Sequence, residues 1–268
     1  MSDRFEKMFA KCRAENRKAL IVYATCGCPS TAESEIFMEN LIAAGADAVE
    51  LGVPFSDPTA DGPTIQTAGQ KALAAGIKLA DIIAMASRLR RKHPDVPFIL
   101  FSYFNVMLNF GLEKLVSGLE AAGVDAILAV DLAFEERGEL LPLCEKHGLA
   151  LIPLLSPATG SDRAAAITAG MHGFAYCVTV RGVTGARSSL PAGALDDLIR
   201  FRKVANGLPL AAGFGISNYE MAAEAAAGAD AVVVGSALMK PLLSGSFADG
   251  LAAGVELTKS LAAAVRQA

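Results

Sequence analysis

Short apolar runs recur along the chain, and helical spacing fills the stretches between them. The runs do not alternate apolar with polar positions, which is typical of strands in a parallel sheet covered by helices. We predict eight such strands, at Ala19 to Ala24, Ala48 to Val53, Pro97 to Ser102, Ala126 to Val130, Ala150 to Leu155, Phe174 to Val178, Leu208 to Ala212 and Ala231 to Val234.

The segments between the runs carry helix signals. Ser30 and Glu33 have the spacing of a capping box ahead of a helix that reaches Ala43. The pattern Ala-Gly-x-Asp-Ala occurs three times before a strand, and we expect its glycines, Gly45, Gly123 and Gly228, to cap helices in the left-handed conformation. Apolar spacing predicts further helices at Leu79 to Leu89, Leu112 to Leu119 and Ala194 to Val204, and the charged N-terminus predicts an additional helix.

Eight strand-helix units in 268 residues favour a single-domain (β/α)8 TIM barrel with an extra N-terminal helix, spanning residues 1–268. No low-complexity or Ser/Pro-rich linker interrupts the pattern. A doubly wound open sheet is the structural alternative, although no Gly-x-Gly-x-x-Gly follows the first strand.

Composition narrows the class of function. The net charge of -4, with both signs interspersed, argues against a nucleic-acid partner. The five cysteines are odd in number and scattered, so we expect reduced thiols. No apolar run is long enough to span a bilayer and the N-terminus does not resemble a signal peptide, so we expect a cytoplasmic protein without membrane attachment.

Two carboxylates are the main catalytic candidates, because the active site of a parallel barrel lies at the C-terminal ends of its strands. Glu50 lies within an apolar strand, where an unpaired charge is costly and is usually tolerated only for function. A structural acid bonded to a neighbouring hydroxyl is the alternative. Asp61 is weaker evidence by itself, because Asp-Gly is also common in plain turns.

Glycine-rich turns indicate a phosphate site. Gly213 to Ser217 follow the seventh predicted strand, and Gly235 and Ser236 follow the eighth, where phosphates usually bind in such barrels. A third turn, Gly182 to Gly185, is a candidate lid. No histidine cluster suggests a metal site, and no lysine follows a strand as a Schiff-base aldolase requires.

The run ELGVPFSDPTADGPTIQ, from Glu50 to Gln66, resembles the signature of the tryptophan synthase alpha subunit family, with Thr59 where an aliphatic residue is usual. The resemblance implies a cofactor-free lyase that cleaves indole-3-glycerol phosphate to indole and glyceraldehyde 3-phosphate. It implies Glu50 as general acid/base, Asp61 as partner of the indole N–H and Thr184 as the lid residue that holds Asp61. By the same resemblance, Tyr23 and Tyr176 shape the indole pocket, and the phosphate ligands are Gly185, Gly213, Gly215, Gly235 and Ser236.

The resemblance also implies a partner, the pyridoxal-phosphate-bearing beta subunit, in an alpha2-beta2 heterotetramer. The acidic loop from Pro54 to Pro63 would face it, with Asp57 available for a contact across the interface. Cys28, Ala133 and Arg181 depart from the usual pattern and leave lid behaviour and partner contacts open. The alternatives are a phosphosugar isomerase of the same barrel class, a chain that mainly activates its partner, and a free-standing indole-releasing lyase.

Overall fold

The computed structural model describes residues 3–178, 189–213 and 215–267. Nine strands lie in these ranges: β1 Ala19–Thr25, β2 Ala48–Gly52, β3 Phe98–Ser102, β4 Ala126–Ala129, β5 Ala150–Leu151, β6 Leu154–Leu155, β7 Ala175–Val178, β8 Leu210–Gly213 and β9 Ala231–Val234. The helices are α1 Arg4–Ala14, α2 Thr31–Ala43, α3 Pro63–Ala74, α4 Leu79–Lys92, α5 Phe104–Phe110, α6 Leu112–Ala122, α7 Leu141–Lys146, α8 Ser161–Thr168, α9 Ala194–Arg202, α10 Tyr219–Gly228, α11 Ser236–Met239 and α12 Phe247–Ala264. Two 3-10 turns cover Phe134–Glu136 and Lys240–Leu243.

All strand pairs are parallel, in the order β5-β4-β3-β2-β1-β9-β8-β7-β6. The two ends of this order, β5 and β6, are halves of one predicted strand. Ile152 donates its N–H to Ile127 on one side (2.9 Å), and Pro153 accepts from Tyr176 on the other (2.8 Å). The sheet therefore closes into the predicted (β/α)8 barrel.

The predicted fifth strand, Ala150 to Leu155, is wrong as one continuous strand. Pro153 lies in its middle and has no N–H to donate to a ladder. The strand is consequently divided into β5 and β6, each paired to a different neighbour.

Two smaller boundary predictions also need correction. Gly228 is the last residue of α10 rather than a left-handed cap, whereas Gly123 has the expected left-handed backbone with φ of 76°. Gly45 also has a positive φ, of 118°. Pro63 is the first residue of α3 rather than part of the acidic loop, since proline fits the first helical position, where no N–H partner is needed. The capping box is confirmed, with Ser30 accepting from the Glu33 N–H at 3.2 Å.

The three repeated aspartates clamp pairs of strands at the N-terminal end of the barrel. Each accepts the backbone N–H of a residue near the start of the preceding strand, at 2.8 to 2.9 Å, and pairs with at least one arginine. The pairs are Asp47 with Leu20 and Arg17, Asp125 with Phe98, Arg90 and Arg4, and Asp230 with Leu210 and Arg202. The Arg4 contact also fixes helix α1 against this end, where Phe5 packs edge-on against Phe174.

Asp125→Ala should destabilise the barrel strongly, because the Asp125 side chain is fully buried and the change removes the counter-charge of the Arg90 guanidinium and the acceptor of the Phe98 N–H. Removing one member of a buried pair usually costs ~3 to 5 kcal/mol. Urea unfolding at neutral pH measures the change, with the exposed Asp196→Ala as matched control. Equal, small effects of the two substitutions would show that the clamp adds little.

Candidate active site

A cavity opens at the C-terminal end of the barrel, with a volume of about 460 Å³ counted to its mouth. Its lining consists of Tyr23, Glu50, Asp61, Ile65, Phe101, Tyr176, Gly215, Ile216, Val233, Gly235 and Ser236. The structure thus brings together most of the predicted site residues: both carboxylates, both pocket tyrosines, and Gly215, Gly235 and Ser236 of the phosphate turns. Gly213 lies beneath the Tyr176 ring.

Glu50 projects from the middle of β2 into this cavity. The residue is only 1% exposed, and its Oε1 atom has no hydrogen-bond partner. Burial raises the pKa of the carboxyl from 4.5 to about 8, because an unpaired carboxylate loses its hydration without a compensating charge. Glu50 is therefore mostly protonated at neutral pH and can donate a proton. The alternative of a structural acid bonded to a neighbouring hydroxyl does not fit this unpaired oxygen.

Asp61 reaches the same cavity from the loop ahead of α3. Its N–H bonds to Pro58 (3.2 Å) and its carbonyl accepts from the Gln66 amide (2.8 Å), so the backbone is fixed by a turn. Burial raises the pKa of its carboxyl to about 6, and a hydrogen bond from Tyr103 acts in the opposite direction. Asp61 is consequently mostly ionised at neutral pH, whereas Glu50 is not.

Aromatic rings form the walls of the cavity. Tyr23 and Phe101 meet edge to face, with centroids 5.1 Å apart. A glycine at the end of the strand next to each tyrosine makes room for its ring: a Cβ on Gly52 of β2 would lie 2.3 Å from the Tyr23 ring, and one on Gly213 of β8 would lie 2.3 Å from the Tyr176 hydroxyl. Flat apolar walls with few polar groups are typical of a pocket for an aromatic ligand.

The glycine turns predicted to bind phosphate contribute Gly215, Gly235 and Ser236 to the cavity lining. Gly215 has a φ of 93°, which a side chain would strain, and Gly235 and Ser236 join β9 to α11. Thr184, Gly185, Arg181 and the rest of the predicted lid lie outside the described residues. Asp57 is exposed, in the same loop as Asp61 but away from the cavity lining.

Comparison with known proteins gives consistent results. The family model for the tryptophan synthase alpha chain matches residues 9–265. The tryptophan synthase alpha chain of Geotalea daltonii is 45% identical over 237 residues, covering 88% of this chain and 89% of that protein. The chain belongs to the tryptophan synthase alpha chain family.

Solved structures support the same conclusion. A Mycobacterium tuberculosis tryptophan synthase structure superposes with a TM-score of 0.90 at 35% identity, covering 99% of both chains. The tryptophan synthase alpha subunit of Legionella pneumophila gives a TM-score of 0.88 at 34% identity, covering all of both chains.

Two members of the site were not predicted from the sequence. Phe101 lies near the end of β3, and Tyr103 follows that strand directly, with its hydroxyl accepting the Ala60 N–H at 3.0 Å. Both lie at or just after the C-terminal end of β3, where the functional residues of a parallel barrel are expected. An aromatic residue in an apolar run gives no further signal, because core packing explains it equally well.

A larger groove, of about 1000 Å³, lies on the barrel between the 3-10 turn after β4 and helix α8. Neither Glu50 nor Asp61 lines it. We therefore place the active site of this alpha chain family member in the smaller cavity, where the two shifted carboxyls meet.

Within the described ranges, no group of three or more histidine, cysteine or acidic side chains is arranged to hold a metal ion. All five cysteines are buried free thiols. None of the helices in these ranges combines the length and apolarity that crossing a lipid bilayer requires.

The raised pKa of Glu50 should make the stability of the fold depend on pH. The unfolded glutamate releases its proton near pH 4.5 and the folded one near pH 8, so between these values the folded chain holds the extra proton and the free energy of unfolding falls as pH rises. Glu50→Gln removes this loss, and its stability relative to wild type should improve by ~3 kcal/mol from pH 5 to pH 8.

Urea unfolding of both proteins at pH 5 and pH 8 measures how the stability difference between variant and wild type changes with pH. The exposed Glu136→Gln is the matched control. A stability difference between Glu50→Gln and wild type that stays constant with pH would show that Glu50 is already ionised in the folded chain at pH 5.

Proposed function

We propose that this chain cleaves indole-3-glycerol phosphate to indole and glyceraldehyde 3-phosphate by a retro-aldol reaction, as the alpha subunit of tryptophan synthase. The observation that carries the proposal is the pairing, in one aromatic-walled cavity, of a protonated carboxyl on Glu50 and an ionised one on Asp61. Two carboxyls with separated pKa values supply an acid and a counter-charge at the same pH.

Glu50 supplies the proton transfers. Its neutral carboxyl donates a proton to C3 of the indole ring, which turns the ring into an iminium-like electron sink. The resulting carboxylate accepts the proton of the glyceryl hydroxyl next to C3. The bond between C3 and the glyceryl carbon then breaks, its electron pair returns to the indole, and the aldehyde carbonyl forms. Glu50 ends in its starting protonation state.

Asp61 stabilises the charged intermediate. Its carboxylate accepts the indole N–H and lies near the positive charge that develops on the ring after protonation. A buried anion of this kind acts with little screening by water, and it is already in place when the charge appears. The tyrosine and phenylalanine walls hold the indole plane between the two carboxyls.

The substrate also carries a phosphate group. Gly215, Gly235 and Ser236 line the cavity and Gly213 lies against Tyr176, and backbone N–H groups in glycine turns can approach an anion closely. Thr184 and Gly185 would complete the site from the lid, by the family resemblance.

The beta subunit of tryptophan synthase is the partner, in an alpha2-beta2 complex, and we place its contact at the loop that carries Asp57. Asp57 is exposed, and a groove of about 620 Å³ lies beside it. The groove has apolar walls that include Phe55 and Leu73, and Leu108, next to the groove residue Asn109, is 45% exposed. An apolar patch with a charge at its rim is the usual form of a protein interface.

We place this reaction in the cytoplasm. The five buried free cysteines support this placement, because thiols persist in a reducing compartment.

Substitution of the two carboxyls tests the mechanism. Glu50→Gln keeps the size of the side chain but removes its proton transfer, and the rate of indole release should fall by ~100 to 10,000-fold. Asp61→Asn removes the counter-charge, and the rate should fall by ~100 to 1,000-fold. Indole release is followed from indole-3-glycerol phosphate with the isolated chain and with added beta subunit. Near-normal turnover of either variant would remove that residue from the mechanism.

Asp57→Ala tests the partner surface. The isolated variant should release indole at the basal rate of wild type but lose much of the stimulation that the beta subunit gives, because the substitution removes a charge only at the interface. The exposed Asp196→Ala is the control. Full activity of the wild-type chain alone, with no change in mass on mixing with beta subunit, would instead identify a free-standing lyase.

A further inference from the structure

Tyr103 connects the catalytic loop to the barrel wall. It follows β3 directly, is 2% exposed, and its hydroxyl accepts the Ala60 N–H at 3.0 Å. Its ring packs against Phe55, with centroids 5.0 Å apart. One side chain therefore contacts the loop near its beginning, at Phe55, and again next to Asp61.

The hydroxyl of Tyr103 also affects the Asp61 side chain. Because its oxygen accepts from Ala60, its own proton remains available beside Asp61; burial raises the pKa of the Asp61 carboxyl, and the Tyr103 side chain lowers it. The Asp61 backbone is fixed separately, by Pro58 and Gln66. Tyr103 is thus the group that acts on the Asp61 side chain rather than on its backbone.

We propose that Tyr103 is a positioning residue for the reaction, whose hydroxyl holds the Asp61 carboxylate toward the cavity in its charged form. The proposal rests on the function proposed above. Tyr103 does not line the cavity itself and acts through Asp61.

The groups around Asp61 make this bond decisive. Glu50 faces the cavity from β2, Tyr23 from β1 and Tyr176 from β7; burial raises the pKa of both tyrosines, and the charge of Asp61 adds to this shift. Burial raises the pKa of Tyr103, and the charge of Asp131, which follows β4, is a smaller cause of that shift. No lysine, arginine or histidine is among the residues that line the described cavity. The Tyr103 bond therefore opposes burial, which favours the neutral carboxyl.

Loss of the Tyr103 hydroxyl should shift the pKa of Asp61 in one direction. The pKa of Asp61, at about 6, leaves it mostly ionised at neutral pH. Tyr103→Phe removes an interaction with the charged form, so the pKa should rise by ~1 unit, as expected for one hydrogen bond to a charged group. At neutral pH a large fraction of Asp61 then becomes neutral and cannot stabilise the cationic ring.

The test compares Tyr103→Phe with Tyr219→Phe, which deletes a hydroxyl bonded to Gln267 on the outside of the barrel. Indole release is measured from pH 5.5 to 9 with the alpha-beta complex. For Tyr103→Phe we expect kcat to fall by ~2-fold at pH 7 and by ~8-fold at pH 5.5, KM to change little, and the acid limb of the kcat profile to move up by ~1 pH unit. Tyr219→Phe should match wild type in kcat, in KM and in the position of the acid limb.

Phe55→Leu separates the ring contact from the hydroxyl. It loosens the packing of the loop but leaves the hydroxyl bond, so the midpoint of the acid limb should stay at its wild-type value. An equal shift in Phe55→Leu and Tyr103→Phe would overturn the proposal, because general loosening of the loop would then explain both.

A direct titration keeps the proposal independent of the reaction. The Asp61 carboxyl carbon is followed by ¹³C NMR against pH in wild type, Tyr103→Phe and Tyr219→Phe, with Asp61→Asn to assign the signal. A higher midpoint in Tyr103→Phe alone supports the proposal even if wild type releases no indole, an outcome that would refute the proposed function only. An unchanged midpoint in a folded Tyr103→Phe overturns it.

Discussion

The closed parallel ladder determines where every chemical group of this protein lies. A parallel strand at an open edge would leave a row of backbone N–H and C=O groups unpaired, and closure removes that edge. It also points all the strand C-termini to one side, so residues distant in sequence, such as Tyr23, Glu50 and Tyr176, meet around one cavity. Closure depends on the short Ile152 to Pro153 segment, which bonds to both of its neighbours although it has no regular strand structure of its own.

Buried acids have different surroundings at the two ends of the barrel. At the N-terminal end, Asp125 receives two arginines and a backbone N–H, so its charge is compensated and its role is structural. At the C-terminal end, Glu50 has an oxygen with no partner, and burial shifts its pKa instead. Compensation stabilises the fold, while its absence gives a proton donor at neutral pH. Burial is common to both acids, and the missing partner is what distinguishes Glu50 from Asp125.

Much of this architecture can be predicted from the sequence, because its signals are local. They are the apolar runs without alternating polar positions and the Ala-Gly-x-Asp-Ala repeat. Its errors concern contacts between segments that are distant in sequence. The break at Pro153 is visible as a proline, yet only the closed ladder shows that both halves still pair. Gly228 is the last residue of its helix and lies against Leu195 and Leu198, contacts that the repeat alone does not reveal. The role of Tyr103 depends on the fold bringing Ala60 to its hydroxyl.

The site residues also differ in how far the sequence alone could support them. Glu50 is exceptional in an apolar strand, so its position carries a strong signal. Asp61 is ambiguous until the structure shows it buried beside Glu50, because an Asp-Gly pair at a surface turn would look the same. The separation of their pKa values is a property of the cavity: Glu50 has only desolvation acting on it, whereas Asp61 also has a hydrogen-bond donor. Less complete burial of Asp61, together with the smaller effect of Tyr103, keeps the pKa of Asp61 below that of Glu50, and a retro-aldol cleavage without metal or lysine uses this division between acid and counter-charge.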